Sequence, residues 1–268
     1  MAVWQRAPDA MIALHARRSA ASIYAWAEMH PHKPLIVVLT GTDLYRDIDS
    51  DAAAQRSLQL ASHLVVLQAA GVVALPAAYR GKTRVIYQSA PALRPVIKST
   101  IRFTAVMVGH LRDEKDPLTF LQAAAMSYDS GVRFKLIGAA LDGTLGAAAL
   151  QRRTDTPRFR WLGALPRAQT RQQIKRAHVL VSCSRMEGGA HVILEAVQSG
   201  TPVLASRIGG NVGMLGDDYA GYFDLGHAAQ LAALVRRCAT DKPFLQQLAD
   251  QCARRAVLFA PGEEKRQV

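Results

Sequence analysis

Two glutamates beside a pair of glycines form the arrangement in this sequence with the clearest chemical meaning. Glu187 and Glu195 are separated by seven residues, Gly188-Gly189 follow the first, and a helical pattern begins near Ala190. Glycines let a ligand approach the backbone closely, and free N–H groups at a helix start favour a diphosphate. A fully helical segment would place the carboxylates about 10–12 Å apart. That spacing suits a nucleotide sugar whose ribose diol donates to Glu195 and whose sugar hydroxyl donates to Glu187, although Glu195 could also be an ordinary surface carboxylate.

A second polar cluster lies near the start of the chain, where a predicted strand ends at Leu14. His15, Arg17 and Arg18 stand at this strand end and at the start of a predicted helix, which is an anion-receptive position. His15 could act as a general base. It could equally be a structural histidine at a strand end, and the residue pattern leaves both interpretations open.

Short apolar runs that alternate with alanine-rich helical patterns must position these residues. The alternation predicts an α/β protein, and the near-continuous apolar runs indicate parallel sheets covered on both faces. The predicted strands are Ala10–Leu14, Leu35–Thr40, His63–Leu67, Arg84–Tyr87, Thr104–Gly109, Arg133–Gly138, Phe159–Leu162, His178–Ser182 and Pro202–Ser206. The predicted helices are Arg17–Met29, Asp51–Ala61, Pro117–Tyr128, Ala168–Arg176, His191–Ser199, Ala228–Cys238 and Lys242–Leu258.

A proline-containing segment, Gln88–Ser99, separates two α/β halves. We predict a first domain over residues 1–95, a second over 96–240, and a C-terminal helical region over 241–268 that could cross back to the first. Ligands in such folds bind at the carboxyl ends of the strands. We therefore expect the site in the cleft between the halves.

The charge of the chain favours an anionic partner. The 268 residues carry a formal net charge of +12, which suits nucleic acid, a membrane surface or a phosphorylated small molecule. The basic clusters are short, however, and also fit a solvated surface. Only 6% of the residues are aromatic, which is few for the base-stacking platforms of single-strand binders.

The sequence also bears on location. No apolar run reaches the roughly 20 residues that a membrane span needs, and the first ten residues lack a signal-peptide pattern. The three scattered cysteines, Cys183, Cys238 and Cys252, exclude a disulfide framework within the chain. These features predict a reducing, cytoplasmic setting.

The segment around the two glutamates resembles a known enzyme family. Glu187 and Glu195, with GG after the first and AxxxGTPVLAS after the second, look like the E-x7-E signature of retaining nucleotide-sugar glycosyltransferases of family 4. The resemblance extends through Ala105–Asp116, Phe134–Gly138, Phe159–Leu165 and Gly209-Gly210. It implies the GT-B fold, in which two Rossmann-like domains with parallel sheets face a cleft. The first domain would be incomplete here, because Asp9 begins what resembles the family's fourth strand.

The resemblance implies a donor site in the second half of the chain. Lys115 matches a lysine that binds the diphosphate, whereas His110 stands where the family has an arginine. Arg112 could substitute for that arginine, unless it only pairs with a neighbouring acidic residue. Gly163-Ala164-Leu165 matches the loop that contacts the nucleobase through its backbone. The other residues that the resemblance assigns to the nucleotide sugar are Gly188, Gly189, Ala190, His191 and Glu195.

The first half departs further from the family. Members often carry a histidine in an H-G-x-D stretch, and this chain reads Thr40-Gly41-Thr42-Asp43. The histidine is thus replaced by Thr40, while Asp43 is kept and is a candidate for contacting the donor or acceptor sugar. Together with Glu187 and His15, Asp43 completes the candidate catalytic residues.

A narrower resemblance concerns the stretches ALHARRSAASI, LTGTDLYRDI, VIYQSA and VGHLRDEKDP. They look like those of the selenosugar synthases of the selenoneine pathway, which join a UDP-N-acetylhexosamine to selenium from selenophosphate. The resemblance therefore implies a UDP-sugar donor, such as UDP-N-acetylglucosamine, and a small anionic acceptor. Arg17, Arg18 and Thr40 are the expected acceptor-binding residues.

Other functions stay open. A family 4 glycosyltransferase with an ordinary hydroxyl acceptor, or a UDP-sugar epimerase, would use the same donor site. A basic nucleic-acid-binding protein is another alternative, but only the charge favours it. The sequence contains no helix-turn-helix, aromatic RNA-binding strand or zinc motif. We therefore expect no nucleic-acid partner. We also expect no metal or other cofactor. Asp47-Ile48-Asp49 has the Asp-x-Asp spacing of a metal motif, but it lies in a first-half loop and does not flank the proposed site.

Overall fold

The computed structural model describes residues 8–127 and 131–268 of the chain. The polypeptide divides into two compact units. The first unit runs to Tyr87 and also contains Met186–Gly189, whereas the second unit contains Gln88–Arg185 and Ala190–Val268. The first unit therefore ends before residue 95, where the sequence placed the boundary, and the C-terminal residues 241–268 group with the second unit.

The first unit is built on a parallel sheet of four strands in chain order. The strands are β1 (Met11–Leu14), β2 (Leu35–Leu39), β3 (His63–Val66) and β4 (Thr83–Val85). Leu35, Val37 and Leu39 are buried and alternate with half-buried residues along the central strand β2. Because the strands are parallel, their carboxyl ends share one edge of the sheet, and the loops that follow β1 and β2 meet there.

Short helices connect these strands. They are α1 (Ala20–Met29), a π-helical turn (Asp43–Asp47), α2 (Ile48–Ser50), α3 (Ala52–Leu60), α4 (Ala70–Ala74) and α5 (Ala77–Arg80). Ile23 and Trp26 of α1 are buried in the core of the unit. The sequence predicted this helix from Arg17, but it begins at Ala20, because the residues before it form turns in which Ser19 N donates to His15 O and Ala20 N donates to Arg17 O.

The second unit contains a parallel sheet of six strands in the order β10-β9-β8-β5-β6-β7. The strands are β5 (Thr104–Val108), β6 (Arg133–Ile137), β7 (Phe159–Trp161), β8 (Val179–Ser182), β9 (Val203–Ser206) and β10 (Tyr222–Phe223). Every residue of β8 and β9 is buried. This burial explains their continuous apolar sequence, since helices cover both faces of the sheet.

Eight α-helices belong to the described part of the second unit. They are α6 (Pro117–Met126), α7 (Gly143–Asp155), α8 (Arg167–Arg176), α9 (His191–Val197), α10 (Gly209–Leu215), α11 (Ala228–Thr240), α12 (Lys242–Arg255) and α13 (Pro261–Gln267), with 3-10 turns at Asp113–Lys115 and Ala256–Phe259. Asp116 caps α6 through its side chain, which accepts from Thr119 N, and Pro117 takes the first helical position. Tyr128, where the sequence ended this helix, lies outside the described residues.

The proline-containing segment between the predicted halves is anchored to the second unit. It forms neither helix nor strand, but Ala90 N donates to Phe259 O and Leu93 N donates to Gln198 O. Lys98 Nζ donates to Ala177 O, and burial lowers the pKa of Lys98 to about 8. These bonds make the segment a fixed part of the second unit and not a free linker.

Cys183, Cys238 and Cys252 are buried and unbridged. Across residues 8–127 and 131–268, no helix combines the length and the apolar character that crossing a bilayer requires. Residues 1–7, on which the expectation about a signal peptide partly rests, lie outside the described residues.

Candidate active site

A cavity of about 290 Å³ opens in the second unit at the carboxyl ends of β5 and β6. This is the sheet edge at which parallel α/β folds bind ligands. Five of the residues that the sequence assigned to a nucleotide sugar line this cavity: His110, Arg112, Lys115, Leu165 and His191. The structure thus brings together side chains from loops and a helix start that are far apart in the sequence.

Two glycines at the strand ends give this cavity its floor. A Cβ atom on Gly138 would stand 1.9 Å from Gly109 O, and Gly138 has a φ of 153°. Gly138 N donates to Gly163 O at 2.8 Å, which ties the loop after β7 to the end of β6. Gly163 has a φ of 67° and therefore shapes this loop, whereas the adjacent Ala164 and Leu165 line the cavity itself.

The basic side chains on the cavity have different surroundings. Lys115 ends the 3-10 turn that follows β5. Arg112 is half-exposed, and its Nε lies 3.9 Å from Glu114 Oε2, so the ion pair with an acidic neighbour that the sequence left open is present. An exposed pair at this distance holds the guanidinium weakly. His110 Nδ1 accepts from Ala139 N at 3.1 Å, so the proton of a neutral His110 is on Nε2.

Glu195 does not line this cavity but contacts His191, which does, and it is a buried carboxylate and not a surface residue. It is 5% exposed, and its Oε1 lies 3.2 Å from Arg167 Nε, 3.4 Å from His191 Nε2 and 3.9 Å from Arg171 Nε. Burial raises the pKa of Glu195, but hydrogen bonds and charges from His191 and Arg167 outweigh it, so the pKa falls below its ordinary value. Glu195 is therefore ionised at neutral pH.

The two arginines that contact Glu195 were not found from the sequence. Arg167 and Arg171 are four residues apart on α8, which places them on one face of the helix. Arg171 is largely buried, and its Nη2 also donates to Pro91 O. The signal for them was an arginine pair at helical spacing directly after Pro166, but nothing in the sequence connects that helix to α9.

The start of α9 also borders the cavity. His191 and Val192 line it, and the buried Ala190 precedes the helix, with its carbonyl accepting from Ile193 N at 2.8 Å. The sequence placed the helix start at this position, and the structure agrees.

The loop that contains Glu187 behaves differently from the helix that contains Glu195. Met186–Gly189 belong to the first unit and are not helical, so the carboxylate spacing expected for a continuous helix does not apply. A Cβ on Gly188 would stand 2.4 Å from Thr40 O, and one on Gly189 would stand 2.6 Å from Leu67 Cβ. The two glycines thus allow close backbone packing inside the first unit. Glu187 is buried in the same loop.

Asp43 organises the loops at the strand ends of the first unit. It is completely buried. Its Oδ1 accepts from Thr40 N and Gly41 N, both at 2.9 Å, and its Oδ2 accepts from Ala16 N at 2.9 Å. Three backbone N–H groups therefore use both oxygens of Asp43. Thr40 also directs its hydroxyl to Oδ1, at 3.4 Å.

His15 is engaged at both ring nitrogens. Its Nδ1 accepts from Arg18 N at 3.3 Å, so Nε2 is the protonated nitrogen of a neutral ring and donates to Thr42 Oγ1 at 2.9 Å. Nδ1 lies 3.9 Å from Asp43 Oδ2, and Nε2 lies 3.8 Å from Asp47 Oδ2. The positive φ of this buried residue is unusual for a side chain with a Cβ.

The predicted acceptor arginines have unequal environments. Arg17 Nε lies 3.1 Å from Asp47 Oδ2, and its Nη1 lies 3.9 Å from Asp51 Oδ2. Arg18 is exposed and contributes its backbone N–H to the ring of His15. Asp47, the first carboxylate of the Asp-x-Asp run, is thus balanced by arginine. The described residues contain no group of three or more His, Cys, Asp or Glu side chains that could hold a metal ion.

The sequence profile of the family described as "Glycosyl transferases group 1" matches residues 91–256. No curated protein matches the chain.

Solved structures give likenesses in fold. HepE from Anabaena in complex with UDP-glucose superposes with a TM-score of 0.80 at 20% identity, covering 97% of this chain and 77% of that chain. Sucrose-phosphate synthase from Thermosynechococcus elongatus superposes with a TM-score of 0.78 at 17% identity, covering 97% and 71%. A point mutant of TarM from S. aureus, crystallised with Fondaparinux, alpha-GlcNAc-glycerol and UDP, superposes with a TM-score of 0.73 at 13% identity, covering 91% and 52%.

These likenesses establish the fold. They confirm the predicted α/β architecture of GT-B type, with two parallel sheets. The chain spans about three quarters of the length of HepE and about half of the length of TarM.

Proposed function

The chain belongs to the glycosyl transferases group 1 family, and on that premise we propose that it transfers a sugar from a UDP-sugar donor. The observation that carries the proposal is the cavity of about 290 Å³ in the second unit, where Arg112 and Lys115 meet the start of α9. HepE and TarM, which share the fold, were each crystallised with UDP or a UDP-sugar, which supports a uridine nucleotide as the ligand.

In this proposal the basic side chains bind the diphosphate. Lys115 and Arg112 line the cavity, and each can form a charge-assisted hydrogen bond to a phosphoryl oxygen. As the bond between the sugar and the diphosphate breaks, negative charge grows on the departing oxygen, and fixed cations lower the energy of that state most. The same residues therefore bind the donor and stabilise the leaving group.

Glu195 is proposed to hold the ribose. All three of its basic contacts are made through Oε1. The other oxygen can then accept hydrogen bonds from the ribose diol without breaking the contact to Arg167. The depressed pKa keeps the carboxylate in its accepting form. Leu165 and its neighbours in the loop after β7 would contact the nucleobase, and Glu187 the sugar.

The acceptor is the finer part of the proposal. We propose that the acceptor is a small anionic nucleophile, and more specifically selenophosphate. The support is the resemblance of the sequence to family 4 enzymes and to the selenosugar synthases. Arg18 is exposed and available to such an anion, and Arg17 and Thr40 lie in the same loops. Asp43 and His15 position these loops through their backbone and Thr42 contacts. Two further expectations from the sequence belong to this proposal as well: two domains followed by a C-terminal helical region, and a reducing cytoplasmic setting.

Calorimetric titration with UDP-N-acetylglucosamine tests the donor site. We expect the parent protein to bind, and Glu195→Gln to bind at least about tenfold more weakly, because hydrogen bonds to a charged carboxylate contribute about 1.5–3 kcal/mol. Glu28→Gln is the matched control, since Glu28 is exposed on α1 and remote in sequence from the cavity. Its affinity should equal that of the parent.

Three results would contradict the donor assignment or refine it. A folded parent that binds neither UDP-N-acetylglucosamine nor UDP would contradict it outright. Equal affinities of parent and Glu195→Gln would remove Glu195 from the site. If the donor is consumed equally with and without selenophosphate, and its sugar changes configuration, the epimerase alternative replaces transfer.

The acceptor assignment has its own test. Arg17→Ala combined with Arg18→Ala should raise the acceptor concentration needed for half-maximal rate far more than the donor concentration. Equal effects on both substrates would contradict the proposed role of these arginines. A hydroxyl acceptor that supports turnover where selenophosphate does not would retain the transferase and change the acceptor.

A further inference from the structure

A second cavity, of about 380 Å³, lies in the second unit away from the proposed donor site. Its lining is dominated by four arginines: Arg102, Arg133, Arg158 and Arg160. Ile101, Gly131 and Pro157 complete the lining. The donor cavity and its proposed function use none of these residues.

The two cavities occupy opposite ends of the same strands. The donor cavity begins where β5 and β6 end, at Val108 and Ile137. The arginine cavity lies where the strands begin: Arg102 precedes β5, Arg133 opens β6, and Arg158 precedes β7. At roughly 3.3 Å per residue, the length of β6 alone separates the two cavities by about 13 Å.

The backbone holds the arginines in this arrangement. Arg133 N donates to Phe103 O at 2.8 Å, and Phe134 N donates to Arg158 O at 3.1 Å. These bonds bring the amino ends of β5, β6 and β7 side by side, so the arginine positions are fixed by the sheet. Arg160 also donates through Nη1 to Pro157 O at 2.7 Å, which holds its guanidinium on the cavity wall.

No carboxylate within the described ranges balances this charge. Among residues 8–127 and 131–268, no ion pair joins Arg102, Arg133, Arg158 or Arg160 to an Asp or Glu side chain. Lys135 lies one position beyond Phe134 on β6. Burial, followed by the charges of Arg133 and Arg176, lowers its pKa. Guanidinium groups that share a concave surface repel one another, and the repulsion is relieved by a bound anion.

We propose that this arginine cavity is a binding site for a ligand that carries at least two phosphoryl groups. Arginine presents planar pairs of N–H donors that match phosphoryl oxygens, and four of them around one cavity exceed what a single carboxylate needs. The ligand is either a free phosphorylated molecule or the head group of an anionic lipid. Ile101, 87% exposed on the rim, is compatible with either source.

Pyrophosphate is the probe for the soluble source, titrated by calorimetry at about 0.15 M ionic strength with UDP present to occupy the donor cavity. We expect Arg158→Gln combined with Arg160→Gln to lower the affinity for pyrophosphate at least about tenfold, since each charged hydrogen bond contributes about 1.5–3 kcal/mol. Arg236→Gln combined with Arg254→Gln removes the same charge from exposed positions on α11 and α12. This control should bind within about twofold of the parent, because nonspecific charge effects are screened.

Vesicles test the lipid source. Sedimentation with phosphatidylcholine vesicles that contain about 30 mol% phosphatidylglycerol, compared with phosphatidylcholine alone, measures attraction to anionic head groups. Binding that the Arg158/Arg160 variant loses and the control keeps would assign the site to a lipid. Loss of pyrophosphate binding alone would assign it to a soluble ligand.

A thermal measurement guards against loss of folding. Pyrophosphate should raise the Tm of the parent and of the control, but not that of the Arg158/Arg160 variant. The variant itself should be no less stable than the parent, because it removes like charges. If neither pyrophosphate nor anionic vesicles distinguishes the variant from the control, the proposal is overturned. If pyrophosphate bound in the donor cavity instead, Lys115→Gln would abolish that binding. This variant therefore distinguishes a failure of the arginine-cavity proposal from a failure of the donor proposal.

Discussion

Each unit gathers polar groups at the carboxyl edge of its own sheet, but the two edges use them in opposite ways. In the first unit, Asp43 directs both carboxylate oxygens to backbone N–H groups, and Asp47 lies against Arg17. In the second unit, Arg112 and Lys115 line an open cavity of about 290 Å³.

The difference follows from the sign of the charged side chains at the carboxyl ends of the strands. A carboxylate accepts hydrogen bonds, so it can fix loops by binding their orphan N–H groups. Arginine and lysine only donate, so they cannot bind orphan N–H groups. In the second unit they line the cavity, and an anion is the ligand that suits them.

Removal of the Asp43 carboxylate should produce the largest effect. In Asp43→Ala, three backbone N–H groups lose their acceptor, two of them in buried hydrogen bonds, and we expect the free energy of unfolding to fall by about 4 kcal/mol. Denaturant unfolding measures it. Asp49→Ala is the control, since Asp49 is exposed in the next turn of the same segment. Equal stabilities of the two variants would show that Asp43 does not hold these loops.

A change in the donor cavity should affect binding and leave stability unchanged. Lys115→Gln removes one cation from the cavity lining, and we expect the affinity for UDP to fall about thirtyfold, equivalent to about 2 kcal/mol. Calorimetry measures the affinity, and the free energy of unfolding from denaturant titration should stay within about 0.5 kcal/mol of the parent. If Lys115→Gln lowers stability as Asp43→Ala does, the contrast between the two edges disappears.

The pH dependence of stability should reveal the buried carboxylate beside the cavity. The pKa of Glu195 in the folded protein is below its ordinary value of 4.5, so the unfolded chain binds the proton more readily. The stabilisation is therefore complete above about pH 4.5 and is lost as the pH falls through the depressed pKa. Unfolding measured between about pH 7 and pH 3 should show a shallower decline for Glu195→Gln than for the parent. Parallel declines would remove Glu195 as the source.

The smallest effect should come from the half-exposed ion pair in the first unit. Arg17→Gln breaks the contact with Asp47. We expect the free energy of unfolding to fall by no more than about 1 kcal/mol, because the Arg17 side chain is half-exposed. UDP affinity, measured alongside, should be unchanged. A loss as large as that of Asp43→Ala would mean that the Asp47 carboxylate is held as tightly as Asp43.

The strands were predictable because they are short, apolar and buried on both faces. All nine predicted strands are present, and the ends differ by one or two residues. The tenth, β10, is two residues long (Tyr222–Phe223), and no periodicity can be read from two residues. Several short helices were not predicted, and glycines explain two of the missed helices: Gly146 interrupts the apolar pattern of α7, and Gly209-Gly210 open α10.

Several residues that line the proposed donor cavity were predictable from the sequence, whereas the side chains that contact Glu195 were not. His110, Arg112 and Lys115 follow directly after a recognisable strand, and parallel strands bring such loops to one edge. Arg167 and Arg171 reach Glu195 from a different helix. That contact depends on how α8 packs against α9, and single-sequence patterns contain no information on helix pairing. The same limit hid the arginine cavity, whose arginines lie in or just before the first residues of three separate strands.

The loop Met186–Gly189 has a consequence for how the protein is made. It belongs to the first unit, and Gly188 packs its backbone against Thr40 and Gly41. The ribosome therefore releases β5 to β8 before the last piece of the first unit emerges. A chain that folds from its N-terminus during synthesis leaves the Thr40 loop without this partner until residue 189 is made. Nascent chains arrested before residue 186 should thus expose the Thr40 loop to proteolysis, and those arrested well beyond residue 189 should protect it.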